Sequence, residues 1–321
     1  MNEIGRKITD KLIEIHGSTD FSIAFLPYKR SMWNSMQSVY EECKAAGVEV
    51  HCMPIEYICF KENKRVDYIA TDYNLFGDIA EPIDSLEHAD YIAIQYPYDN
   101  ENFVTSMFPQ YYTKALKEKY NAKIIYLPYG TGMGQRHFSL HAGCRDIDYA
   151  FMEDQANADL FVSLWKENGV DFTGRVFALG SAKLDMARDL PRITPPEWYE
   201  TLHDRKVVLI TTSLGPFIHD PVRKIELYEK HVREEAAKPM QAVIFRPHPL
   251  MWNTIRSLLP TLENKYIQML ATIRDTKHVK VDNSEYLERA MAASDYLITD
   301  PSSVLDMWIA TGKPYKIIEG E

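Results

Sequence analysis

The sequence predicts an α/β chain with two Rossmann-like parallel-sheet domains. Three observations carry that expectation. Short apolar runs recur, each bounded by turn residues and followed by a helix-like segment. Runs such as VVLITT (207–212) and AVIF (242–245) are nearly continuous rather than alternating, as in strands covered on both faces. The length of 321 residues suits roughly two domains of about 150 residues.

The first runs are 21–26, closed by Pro27, then 48–53, 91–95, 123–127 and 149–152. A second series follows at 175–179, 207–212, 242–245, 278–281 and 296–299. Between them lie helical patterns. Segment 35–46 puts Met36, Val39, Tyr40 and Cys43 on one face, and 284–293 does the same with Tyr286, Leu287, Ala290 and Met291. Strand and helix in alternation imply βαβ units with right-handed crossovers. Pro191, Pro195 and Pro196 interrupt the chain near 184–203, which reads as a hinge. The expected division is 1–180, a linker at 181–205, and 206–321. A smaller irregular stretch lies between Phe60 and Asp90.

Composition narrows the function. The chain carries 46 acidic and 36 basic residues, a net charge of -10, which argues against nucleic acid as a partner. A local positive pocket for an anion remains compatible with that balance. Hydrophobic content of 45% and charged content of 26% exclude a disordered or fibrous chain. Cys43, Cys52, Cys59 and Cys144 form no Cys-x-x-Cys pair, so no metal or redox motif is expected, and free thiols suit a cytoplasmic location. The amino end has no signal-like apolar run, and no stretch reaches the roughly 20 apolar residues of a membrane span. Peripheral association with a membrane enzyme system stays open.

In parallel sheets ligands bind at the carboxyl ends of strands, so the loops there are the candidates. RPHPL (246–250) stiffens His248 between two prolines beside Arg246, a pairing suited to phosphate, with a histidine that caps the loop by pairing to backbone as the alternative. TDPSSVL (299–305) places Asp300, Ser302 and Ser303 at a helix start, where anion binding and ordinary capping are both open. YGTGMG (129–134) offers Tyr129, Gly130 and Thr131, with His137 and His141 just beyond. It is neither a dinucleotide fingerprint nor a P-loop. Lys29 and Arg30 after the first strand, Tyr98, Ser213, and Ser181 with Lys183 are weaker candidates, each also readable as a solvated loop residue. No nucleophile elbow and no H-E-x-x-H cluster is present.

Taken together, these loops resemble the CDP-glycerol glycerophosphotransferase family of teichoic-acid and capsule polymer synthesis. The likeness rests on DYAFMEDQANADLFVSLWKENG from Asp148, LGSAKLD (179–185), RPHPL, and SEYLERAMAASDYLITDPSSVLDMWIATGKP (284–314), in order across roughly 120–318. It implies a GT-B fold, two Rossmann-like domains facing across a cleft. It implies transfer of glycerol phosphate, or a related alditol phosphate, from a CDP-linked donor to a hydroxyl acceptor. The donor is a substrate, and no cofactor is expected. The acceptor would be a polyol phosphate or a glycan, at the inner face of a bacterial cell membrane. By resemblance His248 contacts the donor phosphates, and Ser302 and Ser303 hold the pyrophosphate. Charge complementarity adds Arg246, and Asp300, Ser213, Ser181 and Lys183 complete the donor side. Gly130, Thr131, Lys29, Arg30 and Tyr98 form the acceptor side.

Three departures qualify the resemblance. Tyr129 stands where the family has its histidine base, and a phenol with pKa near 10 is a poor base at neutral pH. His137 or His141 is then the candidate base. Pro301 replaces a tyrosine but is compatible with a helix start. The chain ends at Glu321, so an abbreviated carboxyl-terminal closure is expected. A GT-B glycosyltransferase or epimerase using a sugar nucleotide, and a non-catalytic GT-B-like binding module, are the alternatives.

Overall fold

A computed structural model of the protein describes residues 2–131, 140–202 and 204–318. The chain divides into two units, Met1–Cys59 with Val66–Met186, and Phe60–Arg65 with Ala187–Glu321.

The elements of the first part run α1 (Glu3–His16), β1 (Ser22–Phe25), α2 (Gln37–Ala45), β2 (Glu49–Cys52), β3 (Tyr57–Lys61), β4 (Arg65–Ala70), β5 (Tyr91–Ile94), β6 (Thr105–Met107), α3 (Thr113–Tyr120), β7 (Lys123–Tyr126), β8 (Tyr149–Met152), α4 (Gln155–Glu167), β9 (Val176–Ala178) and α5 (Lys183–Asp189). Six strands form a parallel sheet in the order β2-β1-β5-β7-β8-β9. β1 pairs with β2 on one side and β5 on the other, so the strand order reverses beside β1. Two buried apolar clusters cover the faces of this sheet, which is why its strands read as continuous apolar runs.

The expected strands are present with ends moved by a residue or two. The stretch read as irregular after Phe60 contains β4. With β3 and β6 it forms a small separate sheet, where β3 and β6 pair antiparallel. Its edge strand β4 is mostly exposed, so it lacks the apolar signature that marked the other strands. The region read as a linker also holds regular structure. It carries α5 and two 3₁₀ turns, Leu190–Arg192 and Glu197–Thr201. Asp185 explains why this region starts as part of the first unit. Its carboxylate accepts the N–H groups of Ile4 and Gly5 at 3.1 and 2.8 Å and so caps α1 from far along the chain. Gly5 also lets α1 approach α2 closely, since a Cβ there would lie 2.6 Å from the Ser38 backbone.

The second part runs β10 (Lys206–Thr211), α6 (Leu214–His219), α7 (Pro221–Ala236), β11 (Gln241–Arg246), α8 (Met251–Leu258), α9 (Glu263–Asp275), β12 (Val279–Val281), α10 (Leu287–Ala292), β13 (Tyr296–Thr299), α11 (Ser303–Ile309) and β14 (Tyr315–Ile317). The sheet is parallel in the order β12-β11-β10-β13-β14. Its order reverses beside β10, the position where open α/β sheets place ligands. β14, three residues with two exposed, was not expected from the sequence. Among the described residues no helix is long and apolar enough to cross a membrane, and no cluster of three potential metal ligands occurs.

Candidate functional site

In the second unit, β10, β11 and β13 end side by side, with Thr211 in register with both Arg246 and Thr299. The Thr211 and Thr299 hydroxyls lie 2.6 Å apart and tie β10 to β13. The next residue, Asp300, is fully buried. Its Oδ1 accepts from Lys224 Nζ at 2.5 Å, and its Oδ2 accepts from Tyr228 Oη at 2.5 Å and the Ser213 N–H at 3.2 Å. Lys224 and Tyr228 sit one helical turn apart on α7, facing the sheet. Burial, reinforced by the Asp300 charge, holds the Tyr228 phenol far above its ordinary value, so it stays a donor. Asp300 therefore clamps the loops after β10 and β13 to α7. That role differs from the direct donor contact expected of it.

Arg246 is likewise engaged internally. Its side chain is buried, its Nη1 donates to Asp282 and to Ser284 Oγ at 3.3 Å, and its Nη2 donates to the Ser284 carbonyl at 2.7 Å. The charge expected to meet a phosphate is neutralised by Asp282, and the guanidinium instead shapes the loop after β12.

His248 is placed by backbone hydrogen bonding. Its N–H donates to Thr212 Oγ1 at 2.9 Å, and its Nδ1 accepts the Leu250 N–H at 3.1 Å. An Nδ1 that accepts carries no proton, so the neutral ring holds its proton on Nε2. Nε2–H is thus a hydrogen-bond donor of fixed direction. His248 lines a cavity of about 380 Å³, whose walls also include Trp252, Arg274, Asn283 and Glu285. Ser302 precedes α11. Its hydroxyl is buried, makes no capping bond and has no partner among the described residues. Ser303 opens the helix.

In the first unit, β1, β5 and β7 end in a cluster of tyrosines. Tyr96 lies 4.9 Å from Tyr28, 4.2 Å from Tyr98 and 6.3 Å from Tyr129, between ring centroids. Lys29 is buried, donating to Tyr57 Oη at 2.9 Å with Asp72 at 3.9 Å, and the Arg30 N–H donates to Asp72 at 2.8 Å. These two cations belong to the interior more than to a surface meeting an acceptor. Gly130 and Thr131 follow Tyr129 at the edge of the described segment. Lys183 Nζ donates to the Tyr129 carbonyl at 3.1 Å. Ser181 is buried and its hydroxyl has no partner among the described residues. Ser181 and Lys183, grouped by sequence with the donor side, therefore stand with Tyr129 in the first unit.

Burial pushes the Tyr129 phenol above its ordinary value, so even less phenolate is present at neutral pH to act as a base. His137 lies outside the described residues. His141 has an orienting carboxylate. Its Nδ1 is 2.5 Å from Glu101 Oε2, and the Ala142 N–H donates to Oε1 at 3.2 Å. A carboxylate accepting Nδ1–H leaves the imidazole lone pair on Nε2, the tautomer of a general base. Glu101, like Lys224, Tyr228 and Asp282, was missed by sequence reasoning. A lysine and a tyrosine four residues apart among the buried residues of α7 are the one signal that sequence could have offered.

Asp99 lies beside this cluster with φ 48°, accepting from the Thr113 N–H at 3.3 Å. Burial first, then the nearby charges of Asp146 and Glu101, push its carboxyl up to about 6, against the lowering effect of Thr113. A folded-state value above the unfolded value of about 3.9 means that folding favours the protonated acid. The stabilisation is full below about pH 4 and lost as pH rises through about 6. Asp99→Asn is expected to raise stability at pH 7 by about 1 kcal/mol, discounted for solvent screening. It should also flatten the slope between pH 4 and 6. Urea unfolding across that range checks this, and an equal gain at both ends would reject the titration as its cause.

No protein-family model and no curated protein sequence matches the chain. Solved structures do. MnaA of S. aureus, solved with UDP, aligns with TM-score 0.59 and 12% identity over 94% of this chain and 79% of that one. The UDP-GlcNAc 2-epimerase of Methanocaldococcus jannaschii, in complex with UDP-GlcNAc and UDP, aligns with TM-score 0.58 and 11% identity over 92% and 83%. The wall teichoic acid polymerase TagF aligns at TM-score 0.46 and 16% identity over 98% and 74%. The first two show the fold, which is GT-B-like with two Rossmann-like parallel-sheet units.

Proposed function

We propose that this protein is an enzyme acting on a nucleoside-diphosphate-linked donor, held at the carboxyl ends of β10, β11 and β13. The observation that carries the reading is His248. Thr212 holds its backbone N–H, its Nδ1 accepts from the Leu250 N–H so that the ring proton lies on Nε2, and the residue lines a cavity with both polar and apolar walls. Such a donor suits a diphosphate oxygen, where catalysis depends on positioning and charge stabilisation. The form best supported by fold is a sugar-nucleotide epimerase or transferase, since structures of this fold were solved with UDP and UDP-GlcNAc. Alditol-phosphate transfer from a CDP-linked donor to a polyol phosphate or glycan is the second reading. The ordered RPHPL and TDPSS motifs favour it.

Isothermal titration of UDP-GlcNAc, CDP-glycerol and CDP-ribitol tests the reading. At least one should bind, and His248→Ala should weaken it by roughly 10-fold or more, the worth of a hydrogen bond to a charged group. Failure of all three to bind the native protein would overturn the proposal. ³¹P and ¹H NMR then separate the forms. CMP released with a polyol-phosphate acceptor marks transfer, and a sugar isomerised on its intact nucleotide marks epimerisation. A donor bound without turnover would identify a binding module.

A further inference from the structure

We propose that buried water occupies a small cavity at the carboxyl ends of β7, β8 and β9, held by the Ser181 hydroxyl and bracing the loop that carries Tyr129. The site lies within the first unit and is independent of the nucleotide-donor reading above.

The cavity has a volume of about 30 Å³. Pro128 and Gly130 line it from the loop after β7, Glu153 from the loop after β8, and Ser181 from the loop after β9. The backbone at Ser181 has little freedom. The Leu179 and Gly180 N–H groups both donate to the Met152 carbonyl, at 3.1 and 3.2 Å, and the Ser181 carbonyl accepts the Leu184 N–H at 2.9 Å. Gly180 has φ 102°, a conformation that favours glycine, and a Cβ there would lie 3.1 Å from Ile4. What remains to Ser181 is rotation about χ1 among staggered positions. The residue is 8% exposed, and its hydroxyl has no partner among the described residues.

A buried hydroxyl without a partner is costly, and folded proteins satisfy such groups with protein or with ordered water. Space and polarity both favour water here. A single water needs about 10–15 Å³, so the cavity holds one or two. Cavities that stay dry are apolar, whereas Ser35, Glu153, Asn157 and Ser181 all line this one. Ser35 supplies a second partner of known state. Its hydroxyl donates to the Met32 carbonyl at 3.1 Å and accepts from Gln95 Nε2 at 2.8 Å, which leaves one lone pair for a further donor. Water that accepts from Ser181 and donates onward links the two at little cost in enthalpy. Lys183 Nζ already ties the segment after β9 to the Tyr129 carbonyl at 3.1 Å. Water among Pro128, Gly130 and Ser181 joins the same two loops a second time.

A crystal structure of the full chain tests the site. An ordered water about 2.5–3.0 Å from Ser181 Oγ is the expected result. A dry cavity, or a protein group bonded to that hydroxyl, overturns the inference. Ser181→Val removes the hydroxyl and fills the space. Water ¹⁷O relaxation dispersion, which detects long-lived internal waters, should then lose amplitude relative to the native protein. Hydrogen exchange at Gly130 and Thr131 should quicken by about 5-fold, the worth of one hydrogen bond. An unchanged dispersion amplitude rejects the water site, and unchanged exchange rejects the brace. Unfolding curves show whether the variant keeps its fold, and the native crystal structure decides the site even where it does not.

Discussion

Asp300→Ala is expected to destabilise the second unit by about 3–5 kcal/mol, the cost of leaving one partner of a buried ion pair uncompensated. Asp300 is fully buried, and the Lys224 ammonium that it balances is nearly so. Removing the carboxylate strands three donors at once, Lys224 Nζ, Tyr228 Oη and the Ser213 N–H. Asp300→Asn keeps an acceptor but loses the charge, so its loss should be smaller. The double variant Asp300→Leu/Lys224→Met should recover much of the loss, because an apolar pair of similar size avoids the desolvation of both charges. Urea unfolding gives these numbers. A loss below about 1 kcal/mol for Asp300→Ala would show that the pair is solvated and that this account of the clamp is wrong.

The second large effect is expected at Arg246. Arg246→Ala leaves Asp282 buried without its counter-ion, again for about 3–5 kcal/mol. It also frees Ser284, whose hydroxyl and carbonyl Arg246 holds. Arg246→Lys is not a conservative change, since a single ammonium cannot reproduce contacts made by two guanidinium nitrogens. Hydrogen exchange at 283–285 separates a local from a global cause. Faster exchange there at denaturant concentrations well below the unfolding midpoint is the expected result. Exchange that changes only with global unfolding would confine Arg246 to a stability role.

The candidate site shows where sequence reasoning succeeds and where it stops. RPHPL announced a directed histidine, and the structure supplies the direction through Leu250 and Thr212. The same motif suggested Arg246 as an anion contact, because an exposed and a buried arginine look identical in sequence. Asp300 invited the same reading. In both cases the deciding partner, Asp282 or Lys224, is 36 or 76 residues away. Glu101 and His141 are 40 residues apart, and no local pattern pairs them. Ser181 and Lys183 were grouped with the donor side, whereas the loop after β9 belongs to the first sheet.

The chain's sequence by itself determined two parallel α/β sheets, because a strand covered on both faces must be apolar throughout and that pattern is local. It also determined which loops lie at strand ends, since each follows its strand directly. The tertiary structure alone decided what the charged residues in those loops do. A side chain's charge becomes a ligand contact or an internal tie according to what stands opposite it, and burial makes an unbalanced charge too costly to keep. Arg246, Asp300 and Lys29 were therefore committed by distant partners, while His248 was placed in the wall of a cavity.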